Sequence, residues 1–186
     1  MILSYHGDGG FRLQQGSFSL LVDPPNERLK ADVILRSTVA TNYQSDSINE
    51  IYFPGEYEIE GVEISGIPVD RMEGGEVGTM FLIRWEDVSI AFLGGINESP
   101  SAELIEKLNE PDILVLPVGG GKVLSPEDAR GIVKNLEPSI VIPSLYKTPE
   151  DFLKVMGQKA EPIDKFVFKK KDLFIGAAKV LVLKQS

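Results

Sequence analysis

The chain changes character near residue 95, and this change limits the folds that it can adopt. Before that point, short strand-like runs are separated by glycine and other turn residues, with hairpin-like turns at QQGS and WED. After it, apolar strand-like runs alternate with amphipathic segments, and runs that are apolar on both faces indicate a sheet covered by helices. The predicted strands cover residues 2–5, 11–14, 18–22, 33–35, 51–53, 62–67, 80–85, 88–93, 113–116, 140–142, 166–168, 173–175 and 180–183.

Three pairs of a hydroxyl residue and a proline mark the predicted helix starts. They are Ser99-Pro100, Ser125-Pro126 and Thr148-Pro149. A hydroxyl can cap a free backbone N–H, and proline at the first helical position loses no hydrogen bond. A short helical turn is also compatible with residues 43–50. We therefore expect residues 1–186 to form one α/β domain with a large β content.

Charge and hydropathy narrow the possible surroundings and partners. The net charge is −9, and a field of that sign repels phosphate backbones, so no nucleic-acid partner is expected. No apolar run has the ~18–20 residues that a membrane span needs, and the start MILSYHGDGG does not look like a signal peptide. These features predict a cytoplasmic protein with no membrane partner.

Two residue counts exclude much of hydrolytic chemistry. The chain has no cysteine, which rules out disulfides, thiolate nucleophiles and sulfur-ligated zinc. It has one histidine, His6, so neither a multi-histidine zinc site nor a catalytic triad without His6 can be built. A histidine at the end of a strand is more often structural, and we expect His6 to be so.

Several short phrases together indicate a family. They are, in chain order, YHGDGGFRL, LLVDPP, FPGEYEIEGVEISGIPV, DILVLPVGGG, SPEDA and IVIPSLYKT. In this order they resemble the metallo-β-lactamase fold, in particular its small bacterial branch of lactonase-like, predicted metal-dependent hydrolases. The resemblance covers roughly residues 2 to 148. It implies a four-layer αββα sandwich with a metal site at one edge, between the two sheets.

The chain departs from this family at the metal-binding positions. The family signature is Thr-His-x-His-x-Asp-His after an apolar strand, and the corresponding segment here is STVATNY, residues 37–43. The resemblance therefore implies a metal loop without its ligands. The residues at the family's ligand positions are Thr38 and Ala40 for two histidines, Asn42 for an aspartate, Tyr43 for a histidine, Gly95 for the bridging aspartate, Leu145 for the last histidine, and Asp8 and Asp70 or Arg71 where the branch tends to have histidine.

The function that follows is a non-catalytic binding or scaffold module with no metal, no cofactor and no catalytic residue. Its partner would be a second copy, an active relative or a small molecule of unknown type. The alternative is a hydrolase of the superfamily that acts on a small ester, lactone or phosphodiester through a non-standard site. Asp8, Asp23 and Asp70 could also converge and hold a hard cation weakly. The glycine run VGGGK, residues 118–122, could bind an anion or only shape the cleft.

A vestigial cleft is expected where the family holds its metal. Its walls could stay open around a small polar ligand, or Tyr43 and Leu145 could fill it. Because empty interior volume is unfavourable, we expect the filled state. The residues assigned to the cleft are Asp8, Asp23, Thr38, Ala40, Asn42, Tyr43, Asp70, Arg71, Gly95, Leu145 and Tyr146.

Overall fold

Two β-sheets that face each other make up most of the computed structural model, which describes residues 1–69, 75–173 and 178–186. The first sheet has six strands in the order β13-β1-β2-β3-β4-β6. Its strands are β1 (Ile2–Gly7), β2 (Gly10–Gln15), β3 (Phe18–Val22), β4 (Val33–Leu35), β6 (Glu50–Ile51) and β13 (Phe166–Val167).

The second sheet has eight strands in the order β14-β12-β11-β10-β9-β8-β7 along its path, with β5 paired to β9 beside that path. Its strands are β5 (Thr38–Ala40), β7 (Gly55–Ile59), β8 (Val62–Pro68), β9 (Glu76–Trp85), β10 (Val88–Phe92), β11 (Ile113–Pro117), β12 (Ile140–Ser144) and β14 (Lys179–Val180). β10, β11, β12 and β14 run parallel, which requires the crossovers that contain the helices.

Both hairpins expected from turn residues are confirmed. β2 and β3 pair antiparallel up to Gln15 opposite Phe18, and β9 and β10 pair up to Trp85 opposite Val88. The turns use left-handed backbone at Gly16 (φ 58°) and Glu86 (φ 53°). Tight two-residue hairpin turns need such positive φ angles because their twist must match that of the strands.

The main hydrophobic core lies between the two sheets. Alternate residues of each strand point inward, so Phe11 and Leu13 on β2 meet Ile83 and Ile90 of the second sheet. All four are at most 1% exposed. This core brings the C-terminal ends of β3, β10, β11 and β12 toward each other at one edge of the sandwich, where the candidate site is found.

The three α-helices pack on the outer face of the second sheet and form a second core there. They are α1 (Ala102–Leu108), α2 (Pro126–Leu136) and α3 (Glu150–Met156), and a 3₁₀ turn covers Lys170–Asp172. Ser125 caps α2 as predicted, because its Oγ accepts a hydrogen bond from Asp128 N at 3.1 Å. The other two predicted caps are wrong. Ser101, not Ser99, accepts from Leu104 N at 3.4 Å, and α3 begins after Pro149 with no side-chain cap.

The outer face of the first sheet carries no helix among the described residues. Ile34 of β4 and Arg36, which follows this strand, border a groove formed with residues from 24–31 and 43–50. The helical turn expected over residues 43–50 is not present, and that segment consists of turns that lead into β6.

Asp70, Arg71 and most of the strand predicted at residues 173–175 lie outside the described residues. In the part of the chain that the structure describes, no helix is long and apolar enough to cross a membrane. The cytoplasmic location stays a prediction.

Candidate functional site

A cavity of about 290 Å³ opens between the two sheets, at the edge where several strands end. β3 ends at Val22, β10 at Phe92 and β12 at Ser144, and the residues that follow each strand border the cavity. Ligands in sheet proteins commonly bind beyond the carboxyl ends of strands. The lining residues are Asp8, Gly9, Phe11, Val22, Asp23, Pro24, Pro25, Arg36, Ser37, Thr38, Phe92, Gly94, Gly95, Val115, Ser144 and Leu145.

The inner wall of the cavity is apolar and comes from both sheets. Phe11 and Val22 belong to the first sheet, and Phe92 and Val115 to the second. Each is at most 3% exposed, so these side chains are part of the main core and only touch the cavity. The rings of Phe11 and Phe92 lie 5.9 Å apart between centroids. A packed wall of this kind gives the cavity a fixed shape.

Asp23 is the most constrained polar residue of the cavity. It follows β3 directly with a left-handed backbone (φ 45°), and its carboxylate accepts two hydrogen bonds from Ser37. Ser37 N donates to Oδ1 at 2.7 Å and Ser37 Oγ donates to Oδ2 at 2.5 Å. Burial raises the pKa of Asp23, while the two Ser37 bonds and the charge of Arg36 act in the opposite direction. Burial prevails, so the ionised form is less stable here than in water.

Two hydroxyl side chains face the cavity without a hydrogen-bond partner among the described residues. Ser144 has the same inward orientation as Ile140 and Ile142, because side chains alternate along β12. It is only 4% exposed, and its contact with open space is the cavity. Thr38 lies on the wall opposite Leu145, near Gly95. A hydroxyl at such a wall can donate a hydrogen bond to water or a ligand, or accept one from it.

Gly94 and Gly95 are neighbours in this wall, and they differ in whether a side chain would fit. Gly94 has φ 63°, and a Cβ there would lie 2.4 Å from Ser37 Oγ, so only glycine is tolerated. At Gly95 the nearest atoms to a Cβ would be Leu145 Cδ1 at 3.8 Å and Thr38 Oγ1 at 4.0 Å. Those are ordinary van der Waals distances, and φ is not positive, so a side chain fits at Gly95.

Leu145 follows β12 with φ 51°, an unusual conformation for a bulky residue. It brings its carbonyl against Gly119, where a Cβ would lie 2.1 Å from the Leu145 oxygen. The glycine run therefore serves this close backbone approach. Val118 N and Gly120 N already donate, to Ser144 O and Leu124 O, so neither is free to bind an anion. The hypothesis that VGGGK binds an anion loses two donors.

The structure brings together five of the residues assigned to the cleft. Asp8, Asp23, Thr38, Gly95 and Leu145 line the cavity. The other residues, apart from Tyr43, divide into three groups. Tyr146 lines an adjoining groove that shares Asp8 and Leu145 with the cavity, and burial, followed by Tyr5 and Glu150, raises the pKa of Tyr146 to about 12. Ala40 and Asn42 are exposed and do not line the cavity, and Asp70 and Arg71 lie outside the described residues.

The prediction that Tyr43 fills the cleft is wrong. Its hydroxyl donates to Glu50 Oε1 at 2.9 Å, in the groove on the outer face of the first sheet. The Glu50 side chain is only 7% exposed, and Arg36 and Ser45 also donate to it. A buried carboxylate needs such donors, and this requirement turns the loop outward. Leu145 does line the cavity, but the cavity stays open.

The side chains around Glu50 favour its ionised form. Burial alone would raise the pKa of Glu50, but the bonds from Ser45, Arg36 and Tyr43 outweigh it and lower that pKa. The ionised carboxylate thus holds residues 43–50 in place.

His6 does not line the cavity. Its Nδ1 lies 3.0 Å from Ser186 Oγ, and its Nε2 is buried without a partner among the described residues. Burial lowers its pKa, which favours the neutral ring. His6 is therefore a contact of the C-terminal segment, as expected from its place on a strand.

Sequence reasoning missed two polar residues of the site, Ser37 and Ser144. For Ser144 a signal existed: it stands two residues after Ile142, so it keeps the same face if the strand predicted at 140–142 continues to residue 144, as β12 does. Ser37 had no such signal, because its role depends on Asp23, 14 residues earlier in the chain.

Comparison with known families shows which superfamily the chain belongs to. The sequence model described as the Beta-lactamase superfamily domain matches residues 2–144. The chain belongs to this superfamily. Similar sequences are UPF0173 metal-dependent hydrolases. The one from Methanopyrus kandleri is 30% identical over 123 residues, which are 58% of this chain and 54% of that protein. One from Pelotomaculum thermopropionicum is 28% identical over 196 residues, covering 80% of this chain and 85% of that protein.

Solved structures confirm the metallo-β-lactamase fold for this superfamily member. A Thermotoga maritima protein, described as a candidate Zn-dependent hydrolase of the metallo-β-lactamase superfamily, has a TM-score of 0.81 at 24% identity, covering 98% of this chain and 97% of that one. An isothiocyanate hydrolase from Delia radicum gut bacteria has a TM-score of 0.68 at 13% identity, covering 100% and 97%. The chain spans about half the length of most curated relatives that it matches.

The side chains at the cavity do not fit a zinc ion. Zinc in proteins takes three or four nitrogen, sulfur or carboxylate ligands at ~2.0–2.3 Å. Within residues 1–69, 75–173 and 178–186, no group of three or more histidine, cysteine, aspartate and glutamate side chains could hold a metal. Threonine, glycine and leucine at positions 38, 95 and 145 are not zinc ligands.

Proposed function

We propose that this superfamily member has lost metal-dependent hydrolysis and uses the cavity to bind a small molecule without converting it. One observation carries the proposal. Thr38, Gly95 and Leu145, which the resemblance places at the family's ligand positions, line the cavity, and none offers a zinc donor. Asp23 is one of two carboxylates that line the cavity, and Ser37 already donates to both its oxygens.

The chemistry of hydrolysis supports this assignment. The family's reaction depends on a metal that activates water and polarises the substrate. Without a metal, the cavity would need a general base beside a nucleophile. His6 is bound to the C-terminal segment, and Ser144 has no histidine or lysine among the residues that line the cavity. The described residues thus supply walls and hydrogen bonds rather than a reaction path.

The alternative function is hydrolysis of a small ester, lactone or phosphodiester through a non-standard site. The names of the similar sequences, which are called metal-dependent hydrolases, favour it. Asp8 and Asp23 line the same cavity and could be joined by Asp70 around a hard cation such as Mg²⁺. A second copy of the chain, or an active relative, stays a proposed partner under either function.

Assays on protein purified without a polyhistidine tag distinguish the two functions. Ester, lactone, phosphodiester and β-lactam substrates are incubated with the protein alone and with added Zn²⁺, Mn²⁺ or Mg²⁺. We expect no turnover above the same metal in buffer. Metal-dependent turnover that disappears in Asp23→Asn, but persists in the control Asp87→Asn at an exposed turn, would establish the hydrolase instead.

A further inference from the structure

The charges around the cavity leave it negative. Two carboxylates, Asp8 and Asp23, line it together with one cationic residue, Arg36. The Arg36 guanidinium points to the outer face of the first sheet, where its Nε donates to Glu50 and its centre lies 5.9 Å from the ring centroid of Tyr43. Glu50 therefore compensates the charge of Arg36. Arg36 also acts on the Asp23 carboxylate, and no lysine or second arginine is among the residues that line the cavity.

The hydroxyl of Ser144 is the second observation. Ser144 is 96% buried, being 4% exposed, and it faces the space between the sheets beside Val115 and Leu145. The side-chain hydrogen bonds among the described residues include none from its Oγ, and Ser144 lines the cavity. Thr38, which is partly buried, brings a second hydroxyl to the wall of the cavity. Both oxygens can accept a hydrogen bond from a ligand.

The apolar wall is the third observation. Phe11, Val22, Phe92 and Val115 close the inner end of the cavity with hydrocarbon alone. Small-molecule sites combine such walls with a few polar groups that fix orientation. A ligand that satisfies both parts has a positive donor group with several N–H bonds and a short apolar body.

We propose that the cavity binds a small primary alkylammonium ion, with its three N–H donors shared among the Asp23 carboxylate and the hydroxyls of Ser144 and Thr38. This inference rests on the proposed function, because it assumes that the cavity binds a ligand rather than a catalytic metal. Each Asp23 oxygen takes one bond from Ser37 and keeps a further acceptor site. The alkyl chain then lies on Phe11 and Phe92, whose ring faces also attract cations.

Three other ligand classes fit less well. An anion would place its charge beside Asp8 and Asp23, and the exposed lysines Lys122 and Lys147 border only the adjoining groove. A divalent metal would bind the carboxylates but leave the apolar wall without a function. A neutral alcohol would use the wall and the hydroxyls but gain nothing from the negative charge.

The test is a titration of the full chain followed by ¹H–¹⁵N NMR at the backbone amides of Ser37, Gly94, Gly95 and Ser144. The probes are n-butylammonium chloride, sodium butyrate, n-butanol and magnesium chloride at equal ionic strength. We expect saturable shifts with butylammonium, no shifts with butyrate, and at least tenfold weaker binding of butanol, which lacks a charge-assisted hydrogen bond. The control at the same concentrations is the shift of amides in α2, far from the cavity.

Matched variants assign the binding to named groups. Asp23→Asn should weaken butylammonium binding about tenfold and Ser144→Ala about threefold, because one loses a charge and the other a neutral acceptor. Asp87→Asn, at an exposed turn, and Ser139→Ala, equally buried just before β12, should bind like the wild type. If Asp23→Asn does not fold, Asp8→Asn, whose side chain is exposed, takes its place with the same expected direction.

Each outcome decides the proposal. Butanol binding as tightly as butylammonium, equal binding by Asp23→Asn and the wild type, or no shift at the cavity amides would overturn it. Shifts with magnesium but not with butylammonium would overturn it as well and would favour the hydrolase alternative. A failure of amine binding with no metal uptake and no turnover would leave the non-catalytic function standing, so the two proposals fail separately.

Discussion

Ser37 holds the carboxylate of Asp23 with two hydrogen bonds, from N to Oδ1 at 2.7 Å and from Oγ to Oδ2 at 2.5 Å. The pair joins the end of β3 in the first sheet to the start of β5, which pairs with β9 in the second sheet. It also explains Gly94, since a Cβ there would collide with Ser37 Oγ. The Asp23–Ser37 pair therefore joins the two sheets at the edge of the cavity.

Ser37→Ala tests how much this pair stabilises the fold. The substitution removes one donor to a buried carboxylate but leaves the backbone N–H, so we expect a loss of ~1–3 kcal/mol in the free energy of unfolding. Urea denaturation followed by circular dichroism measures it. Ser17→Ala, at the exposed turn between β2 and β3, is the control and should cost little. A Ser37→Ala protein as stable as the wild type would contradict the role of the pair.

Asp23→Asn tests the pH dependence that burial imposes. The pKa of Asp23 in the folded state lies above its ordinary value of 3.8. From 3.8 up to that raised pKa, the folded state keeps a proton that the unfolded state has released. The free energy of unfolding of the wild type, relative to Asp23→Asn, should therefore fall as the pH rises through this window. Denaturation of both proteins at several pH values measures this difference. A difference that stays constant or rises with pH would contradict a raised pKa of Asp23 in the folded state.

Tyr43→Ala tests whether Tyr43 belongs to the loop or to the cavity. In the loop it loses one hydrogen bond to Glu50 and an edge contact with Tyr52, at a centroid distance of 5.0 Å. We expect a cost of ~1–2 kcal/mol. Phe92→Ala, which removes a core ring at the cavity wall, is the comparison and should cost ~3–5 kcal/mol. If Tyr43→Ala lowers the free energy of unfolding as much as Phe92→Ala does, the Tyr43 ring fills interior space.

These residues also show how far the sequence predicts the structure. The strands at 18–22 and 33–35 have the predicted bounds, because turn residues flank short apolar runs. β5 (Thr38–Ala40) was not predicted, since its pairing with Gly78 and Val77 is set by residues far along the chain. For the same reason Tyr43 could not be placed: its position depends on Glu50 and Arg36, which no local pattern connects. A local pattern also cannot show that Ser101, two residues after the expected cap, is the side chain that reaches Leu104 N.

Restoring three ligands tests whether the cavity is the family's metal site without its donors. The triple variant Thr38→His, Gly95→Asp, Leu145→His places two imidazoles and one carboxylate on the cavity wall. Gly95 has room for a side chain, and histidine adopts the left-handed backbone of position 145 more readily than leucine. We expect the variant to bind zinc that the wild type does not, measured by competition with a chromogenic chelator. The control is the same triple variant with Asp23→Asn added.

Two results of that experiment bear on the geometry. Zinc binding that Asp23→Asn leaves unchanged would place the restored site on the three new ligands alone. A folded triple variant that binds no zinc would contradict the correspondence between this cavity and the family's metal site.

Elemental analysis tests whether the purified protein retains a metal. The chain is produced without a polyhistidine tag, incubated with zinc, iron and manganese, and passed through a desalting column before inductively coupled plasma mass spectrometry. We expect far less than one equivalent of any of these metals per chain, because Thr38, Gly95 and Leu145 provide no ligands. One or more equivalents of a metal, retained by the wild type and lost in Asp23→Asn, would contradict it.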